Sequence, residues 1–262
     1  MLREKISKTL KVLGYTAFGI LLFSVAGLVA INAPQFHGDY IRSNVGKSVV
    51  MITIGNSGGT GFHVEAPSGE TYILTNRHIC SGSKDGYVTV SNTTHRPIPR
   101  RIIEQYEHHD LCLVEALPSV PGLKVSNKAP RIGQIVGIVG HPRLHALTFM
   151  RGEVIDNPMI QLVMAVNIKE EECRGRFVRI YSYEQIENGI IVPEIFDIPR
   201  NVCIESFSTN QVTYIAYPGN SGSPTVDFFG NVVGVHFAGR RDSNTHGFTV
   251  PLEDIRAFLE VY

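Results

Sequence analysis

From about residue 44 onward the sequence breaks into short β-rich runs, "SVVMITI", "GTGFHVEA", "TYILTN", "YVTVS", "LCLVEA", "QIVGIVG", "IQLVMAVNI" and "NVVGVHF", each bounded by turn residues. Valine, isoleucine, threonine and aromatic side chains suit a pleated, half-buried surface, and runs this short do not make helices. Twenty-five glycines and 14 prolines against 18% charged residues supply the turns such strands need and disfavour a helical bundle. No repeat with a period of about 20 to 50 residues is present, which argues against a solenoid or propeller. The last segment, "TVPLEDIRAFLEVY", has a different period. Pro251 suits a first helical turn, Glu253 and Asp254 follow it, and Leu252, Ile255 and Leu259 recur at helical spacing. The expectation is an all-β domain of many short strands closed by one helix over residues 251–262.

The N-terminal end follows other rules. "MLREKISKTLK" carries Arg3, Lys5, Lys8 and Lys11 against one acid, and Val12 to Ala33 then contains no charged side chain. A run of roughly 20 apolar residues at 1.5 Å each matches the ~30 Å hydrocarbon core of a bilayer and exceeds the apolar region of a secretory signal. It has no polar face, unlike a helix packed on a soluble core. The basic flank places the N-terminus in the cytoplasm and the rest of the chain across the membrane. Residues 1–11 are therefore expected as a basic cytoplasmic flank, 12–33 as a single-pass transmembrane helix, 34–43 as a linker and 44–262 as one extracytoplasmic domain. Cleavage after the small Ala33 is the alternative.

Formal net charge is +0, so no global basic field is available to hold nucleic acid. Cys80, Cys112, Cys173 and Cys203 form no C-x-x-C pair and no zinc-ligand spacing. Four cysteines allow three disulfide connectivities, and Cys80 and Cys112 also sit in apolar contexts where a free thiol packs as a small hydrophobe. Disulfides and buried thiols both remain open. No oxygen-ligand cluster suggests calcium, and neither a metal nor a cofactor is expected. Asn92-Thr93-Thr94 matches a glycosylation acceptor.

The chemistry concentrates in "GNSGSP", residues 219–224, which places glycines on both sides of Ser221. A serine hydroxyl is a weak nucleophile near neutral pH. It needs an imidazole to take its proton, a carboxylate to orient that imidazole, and backbone N–H groups aimed at the developing oxyanion. A lone G-x-S-G also describes an ordinary turn. Two further segments supply the missing groups: "ILTNRH" places His78 after a strand, and "HHDLCLVEA" places Asp110 at the start of another. Asp85, Glu104 and Glu107 are rival acids, but only Asp110 opens an apolar strand, and a metal-binding His-His-Asp corner is the competing reading.

Gly59-Thr60-Gly61-Phe62, Ile73-Leu74-Thr75-Asn76-Arg77-His78, Asp110-Leu111-Cys112-Leu113, the serine hexapeptide and Val232-Val233-Gly234-Val235 occur in an order that resembles the trypsin-like serine proteases, most closely the HtrA and glutamyl endopeptidase branches. The resemblance implies two six-stranded β-barrels, at about 44–125 and 126–250, with the site in the cleft between them. It implies His78 as general base, Asp110 as its orienting acid, Ser221 as nucleophile, and the N–H groups of Gly219 and Ser221 as the oxyanion hole, with polypeptides as substrates. Ser223 is expected to be structural.

The same resemblance assigns the pocket for the residue before the scissile bond to Ile215, Ala216, His236, Phe237 and Gly239. An apolar Ile215 at its base argues against Lys or Arg. His236, in "GVHFAG", is placed like the histidine that contacts Glu or Gln in glutamyl endopeptidases and picornavirus-type proteases, although Ala216 stands where those families carry a hydroxyl; Tyr214 and Tyr217 are nearby substitutes. The alternative is a core histidine beside a pocket for small apolar side chains. A catalytically silent, membrane-tethered binding module is the reading from another functional class. Residues 165–210, with the charged "KEEECRGR", are read only as further strands around a solvated turn.

Overall fold

The computed structural model describes residues 38–106, 109–166, 176–187, 190–214, 216–239 and 245–262, with the backbone alone from 157 to 208. Helix α1 spans residues 38–45 and runs through one turn of 3-10 helix, Gly46–Ser48, into the first strand. Ile41 and Val45 on α1 are buried in the same core cluster as Val49, Ile255 and Phe258. From residue 38, therefore, the stretch expected as a linker is part of the folded domain. Residues 1–37 lie outside the described residues, and with them the expected flank and transmembrane segment. Among the described residues no helix is long and apolar enough to cross a membrane.

Six strands, β1 (Val49–Ile54), β2 (Ser57–Glu65), β3 (Thr71–Thr75), β4 (Tyr87–Ser91), β5 (Ile98–Tyr106) and β6 (Leu111–Glu115), close a barrel in the order β1-β2-β3-β6-β5-β4. A single-turn helix, α2 (Arg77–Cys80), follows β3. Inward-facing Val50, Ile52, Ile73, Val88, Val90 and Val114 fill the barrel, which is the burial that a period-2 apolar pattern produces.

The second half contains β7 (Ile135–Gly140), β8 (Thr148–Val166), β9 (Arg176–Glu187), β10 (Ile190–Thr213), β11 (Pro224–Val226), β12 (Val232–Gly239) and β13 (His246–Pro251). Pairing runs β13-β12-β11-β7-β8-β10, and contact of β13 with β10 closes this ring of six. Strand β9 pairs with β10 outside the ring. The two expected six-stranded barrels are thus present, and the segment 165–210 contributes a seventh strand to the second sheet. Its backbone is a ribbon in which Val202 pairs with Val166 on one side and Val178 on the other. Helix α3 (Leu252–Leu259) begins one residue later than the sequence suggested, with Pro251 extended in the capping position and Glu253 and Asp254 in the first turn. Leu252, Ile255, Phe258 and Leu259 face inward.

One apolar cluster crosses the seam, with Phe62, Val64, Leu74 and Leu111 from the first barrel and Val139, Val226, Val235 and Val250 from the second. His63 is fully buried beside it. Its Nδ1 donates to the Ser48 carbonyl at 3.0 Å while Nε2 accepts the Leu117 N–H at 3.0 Å, which fixes a neutral tautomer. Cys80 and Cys112 form a disulfide tying α2 to β6. Cys173 and the Cys203 side chain lie outside the described residues.

The two bridged cysteines are 32 residues apart, so removing the cross-link with Cys80→Ala and Cys112→Ala is expected to cost about 3–4 kcal/mol through the freer unfolded chain. Thermal unfolding should show a lower midpoint for the double variant and for the reduced natural protein. An unchanged midpoint would contradict a formed disulfide.

Candidate active site

The chain leaves β3 at Thr75 and turns into α2, whose second residue is His78. Asp110, just before β6, has φ +52, a left-handed backbone that non-glycine residues seldom adopt. Its surroundings hold it there. The Asp110 carbonyl accepts the Arg77 N–H at 3.0 Å and the Asn76 amide Nδ2 at 3.0 Å. Its carboxylate takes the His78 backbone N–H on Oδ1 at 2.9 Å and His78 Nδ1 on Oδ2 at 2.8 Å. Gripping both the main chain and the ring of His78 fixes the tautomer and leaves Nε2 as the atom able to exchange a proton. The neighbouring His109 points elsewhere, with Nδ1 2.9 Å from the Asp254 carboxylate on α3, so His109 and Asp110 do not converge on one point. His108 and Glu107 lie outside the described residues.

Ser221 stands on a turn of the second barrel whose glycines have distinct jobs. Gly219 has φ +90, and a Cβ there would lie 2.6 Å from the His141 carbonyl oxygen and 2.8 Å from the Arg143 nitrogen. Gly222 has φ +83, and a Cβ would meet the Thr60 carbonyl oxygen at 1.9 Å. Both positions therefore require glycine. The Pro218 carbonyl accepts the Arg143 N–H at 2.5 Å. Because N–H and C=O oppose each other across a trans peptide, that bond aims the Gly219 N–H away from the 141–144 turn. Asn220 and Gly222 donate their N–H groups to Tyr217 and His236 carbonyls at 3.1 and 2.7 Å. Among the described residues, the N–H groups of Gly219 and Ser221 make no internal hydrogen bond. Two donors flanking the serine are thus available to an anion. Ser223 is fully buried and cannot reach a substrate.

Thr60 of β2 binds this turn to the first barrel, a role the sequence reading missed. Its N–H donates to the Ser221 carbonyl at 2.8 Å and its hydroxyl to the Gly219 carbonyl at 2.8 Å. Its own carbonyl accepts the Thr75 hydroxyl at 2.7 Å. The only trace in the sequence is a hydroxyl residue between the two glycines of "GTG". The Ser221 hydroxyl donates to the Phe237 carbonyl at 3.2 Å, and among the described residues no hydrogen bond joins it to His78.

Of the five expected pocket residues, Ile215 lies outside the described residues, His236, Phe237 and Gly239 follow along β12, and Ala216 lies against Gly239. The facing walls approach closely: a Cβ on Gly239 would lie 2.4 Å from that of Ala216. Phe237 is half-buried, its ring centroid 6.5 Å from that of Phe248. His236 is buried, with Nδ1 hydrogen-bonded to the Tyr214 hydroxyl and a second bond from its ring to the Phe248 backbone. Burial pushes its pKa down to about 3, a direction to which the nearby His78 adds. Burial also raises the Tyr214 phenol well above its ordinary value. The ring is accordingly neutral at physiological pH and held from inside the protein.

A trypsin-like peptidase domain matches residues 59–235. The pro-apoptotic serine protease nma111 of Aspergillus clavatus is 26% identical over 230 residues, covering 80% of this chain and 18% of that protein. Its namesake from Ajellomyces capsulatus is 26% identical over 207 residues, 76% of this chain and 16% of that one. The chain thus spans less than a fifth of the curated relatives it matches. Among solved structures, the active form of the Rv3671c protease of M. tuberculosis superposes with a TM-score of 0.59 at 21% identity, over 86% of this chain and 84% of that one. The serine endoprotease of Yersinia pestis gives 0.58 at 15% identity, over 86% and 66%. These two likenesses establish the fold.

Three buried histidines, His63, His141 and His236, have folded pKa values lowered by burial from an ordinary 6.5. A group held neutral in this way stabilises the fold fully above its unfolded pKa, and the contribution is lost as pH falls below 6.5, by up to about 1.4 kcal/mol per pH unit for each histidine. Urea unfolding midpoints should therefore drop from neutral to mildly acidic pH, and His63→Gln should flatten the dependence. Equal midpoints would contradict neutral burial.

Proposed function

The chain belongs to the trypsin-like peptidase family as a serine-type endopeptidase, and we propose that it is a membrane-anchored enzyme cutting polypeptides outside the cytoplasm after small, uncharged side chains. The observation that carries the catalytic reading is the double grip of Asp110 on His78 beside a serine turn with two unengaged N–H groups. Ser221 leaves the Phe237 carbonyl, gives its proton to His78 Nε2 and attacks the scissile carbonyl carbon. Asp110, fixed on Nδ1, stabilises the imidazolium that forms. The carbonyl oxygen, now an anion, takes the N–H groups of Gly219 and Ser221, each worth about 10²–10³ in rate in comparable sites. Collapse of the tetrahedral species expels the amine with the proton from His78. Water, activated by the same ring, then hydrolyses the acyl-enzyme. A silent binding module would need neither the Asp110 grip on His78 nor two unengaged N–H groups at the serine turn, and both features support the enzyme.

The specificity reading rests on the closeness of Ala216 to Gly239 and on the internal bonds of His236. A neutral ring offers no charge to a Glu carboxylate, and burying that carboxylate unpaired is costly. A Gln preference is the second reading, favoured by one observation: the Tyr214 hydroxyl on Nδ1 leaves the other ring nitrogen as a fixed N–H donor. To use it, the ring must exchange its Phe248 backbone bond for the substrate amide. The membrane reading rests on the uncharged Val12–Ala33 run. The Cys80–Cys112 disulfide supports an oxidising compartment for the domain.

Incubating the full chain and its Ser221→Ala form with a mixture of denatured proteins, then reading new peptide ends by mass spectrometry, tests both parts. Cuts should vanish in Ser221→Ala and follow Ala or Val. Clustering after Glu or Gln would reject the small pocket and assign His236 to recognition; the absence of serine-dependent cuts would reject the enzyme.

A further inference from the structure

The turn between β11 and β12 presents two phenylalanines to solvent: Phe228 is 60% exposed and Phe229 76%. Their rings meet edge to face with centroids 5.6 Å apart. The turn holds them rigidly, because Asp227 Oδ1 accepts the N–H groups of both Phe229 and Asn231 at 2.9 Å. Phe229, the more exposed of the two, puts a large apolar ring into water, and such a ring marks a place where something else is met. Cations surround them. Lys124, Lys128 and Arg131 line one hollow together with Phe229, and its single carboxylate, Asp227, is engaged by the turn. Ile132, next to Arg131, is 65% exposed.

The position of this patch decides its partner. A Cβ on Gly230 would lie 3.1 Å from Val45 and 3.9 Å from Ile41, so the turn packs directly on α1. Helix α1 begins at Gly38, five peptide steps after Ala33, the last residue of the uncharged run. Five steps span at most about 18 Å even when fully extended. A chain that leaves a bilayer at residue 33 therefore keeps Ile41, on which the turn packs, within about 23 Å of its exit point. Apolar rings beside lysine and arginine match the layered chemistry of that surface, acyl chains below and phosphate headgroups above.

We propose that the Phe228–Phe229 turn, with Lys124, Lys128 and Arg131, is a docking surface for an anionic lipid bilayer that holds the domain against the membrane. The proposal rests on the membrane-anchor reading above. Docking would fix the orientation of the active-site cleft relative to the bilayer instead of leaving the domain to rotate on a short tether.

The chain contains no tryptophan, so a single introduced indole reports its own surroundings. Phe229→Trp and, separately, Phe23→Trp are made in the full chain and reconstituted into phosphatidylcholine vesicles with and without phosphatidylglycerol, with brominated acyl chains as quencher. Retained Ser221-dependent hydrolysis confirms folding. In anionic vesicles both indoles should be quenched, that of Phe229→Trp by about half or more. Adding Lys128→Glu and Arg131→Glu should relieve most of the quenching at position 229 and none at 23. Quenching at 23 with an unquenched, solvent-like spectrum at 229 overturns the docking surface and leaves the anchor standing. No quenching at either position overturns both. A concentration-dependent blue shift at 229 without lipid quenching means a second copy of the chain covers the patch, which also overturns the proposal.

Discussion

Everything the site can do depends on a set of buried hydrogen bonds made by one threonine across the seam between the barrels. His78 and Asp110 belong to the first barrel and Ser221 to the second, so no local turn fixes their relation. Thr60 fixes it: its N–H takes the Ser221 carbonyl and its hydroxyl the Gly219 carbonyl, each at 2.8 Å. The hydroxyl also accepts the His141 N–H at 2.9 Å, drawing in the turn that packs against Gly219. Thr60 is fully buried, so a lost partner would leave a buried polar group unsatisfied. The glycines follow from the same constraint. Gly222 lacks a side chain because the Thr60 carbonyl occupies the space one would fill.

Within that frame Asp110 and His78 are joined while Ser221 is bonded elsewhere. Asp110 holds both the ring and the main chain of His78, Ser221 rests on the Phe237 carbonyl, and a Cβ added at Gly239 would lie 2.4 Å from that of Ala216. A substrate backbone laid along β12 would compete for that carbonyl and release the serine toward His78. With the pocket proposed above, its filling and the release of Ser221 would be coupled through β12.

Strand runs and the closing helix were legible in the sequence because each has a local signature, period-2 burial or a proline followed by acids, and the His78–Asp110 pair was expected from the order of the motifs. What was not legible depends on contacts distant along the chain. Thr60 acts on Gly219, 159 positions away, and a hydroxyl residue between two glycines is its only local mark. The cysteine pairing was open among three choices until α2 and β6 were seen side by side. The segment 34–43 looked like a tether because it is short and polar in places, yet Ile41 is fully buried against elements nearer the C-terminus. The sequence left His236 open between a pocket wall and a core histidine, and its bond to Tyr214 follows from the pairing of β12 with β13 and the path of β10, which no local pattern specifies.

The central claim is that Ser221 is a nucleophile activated by the Asp110-held His78. Reaction with a fluorophosphonate, followed by mass spectrometric location of the adduct, tests it without requiring a known substrate. The account predicts a single adduct on Ser221, formed orders of magnitude more slowly in His78→Ala. An unmodified Ser221 in folded protein, or equal rates with and without His78, would contradict it.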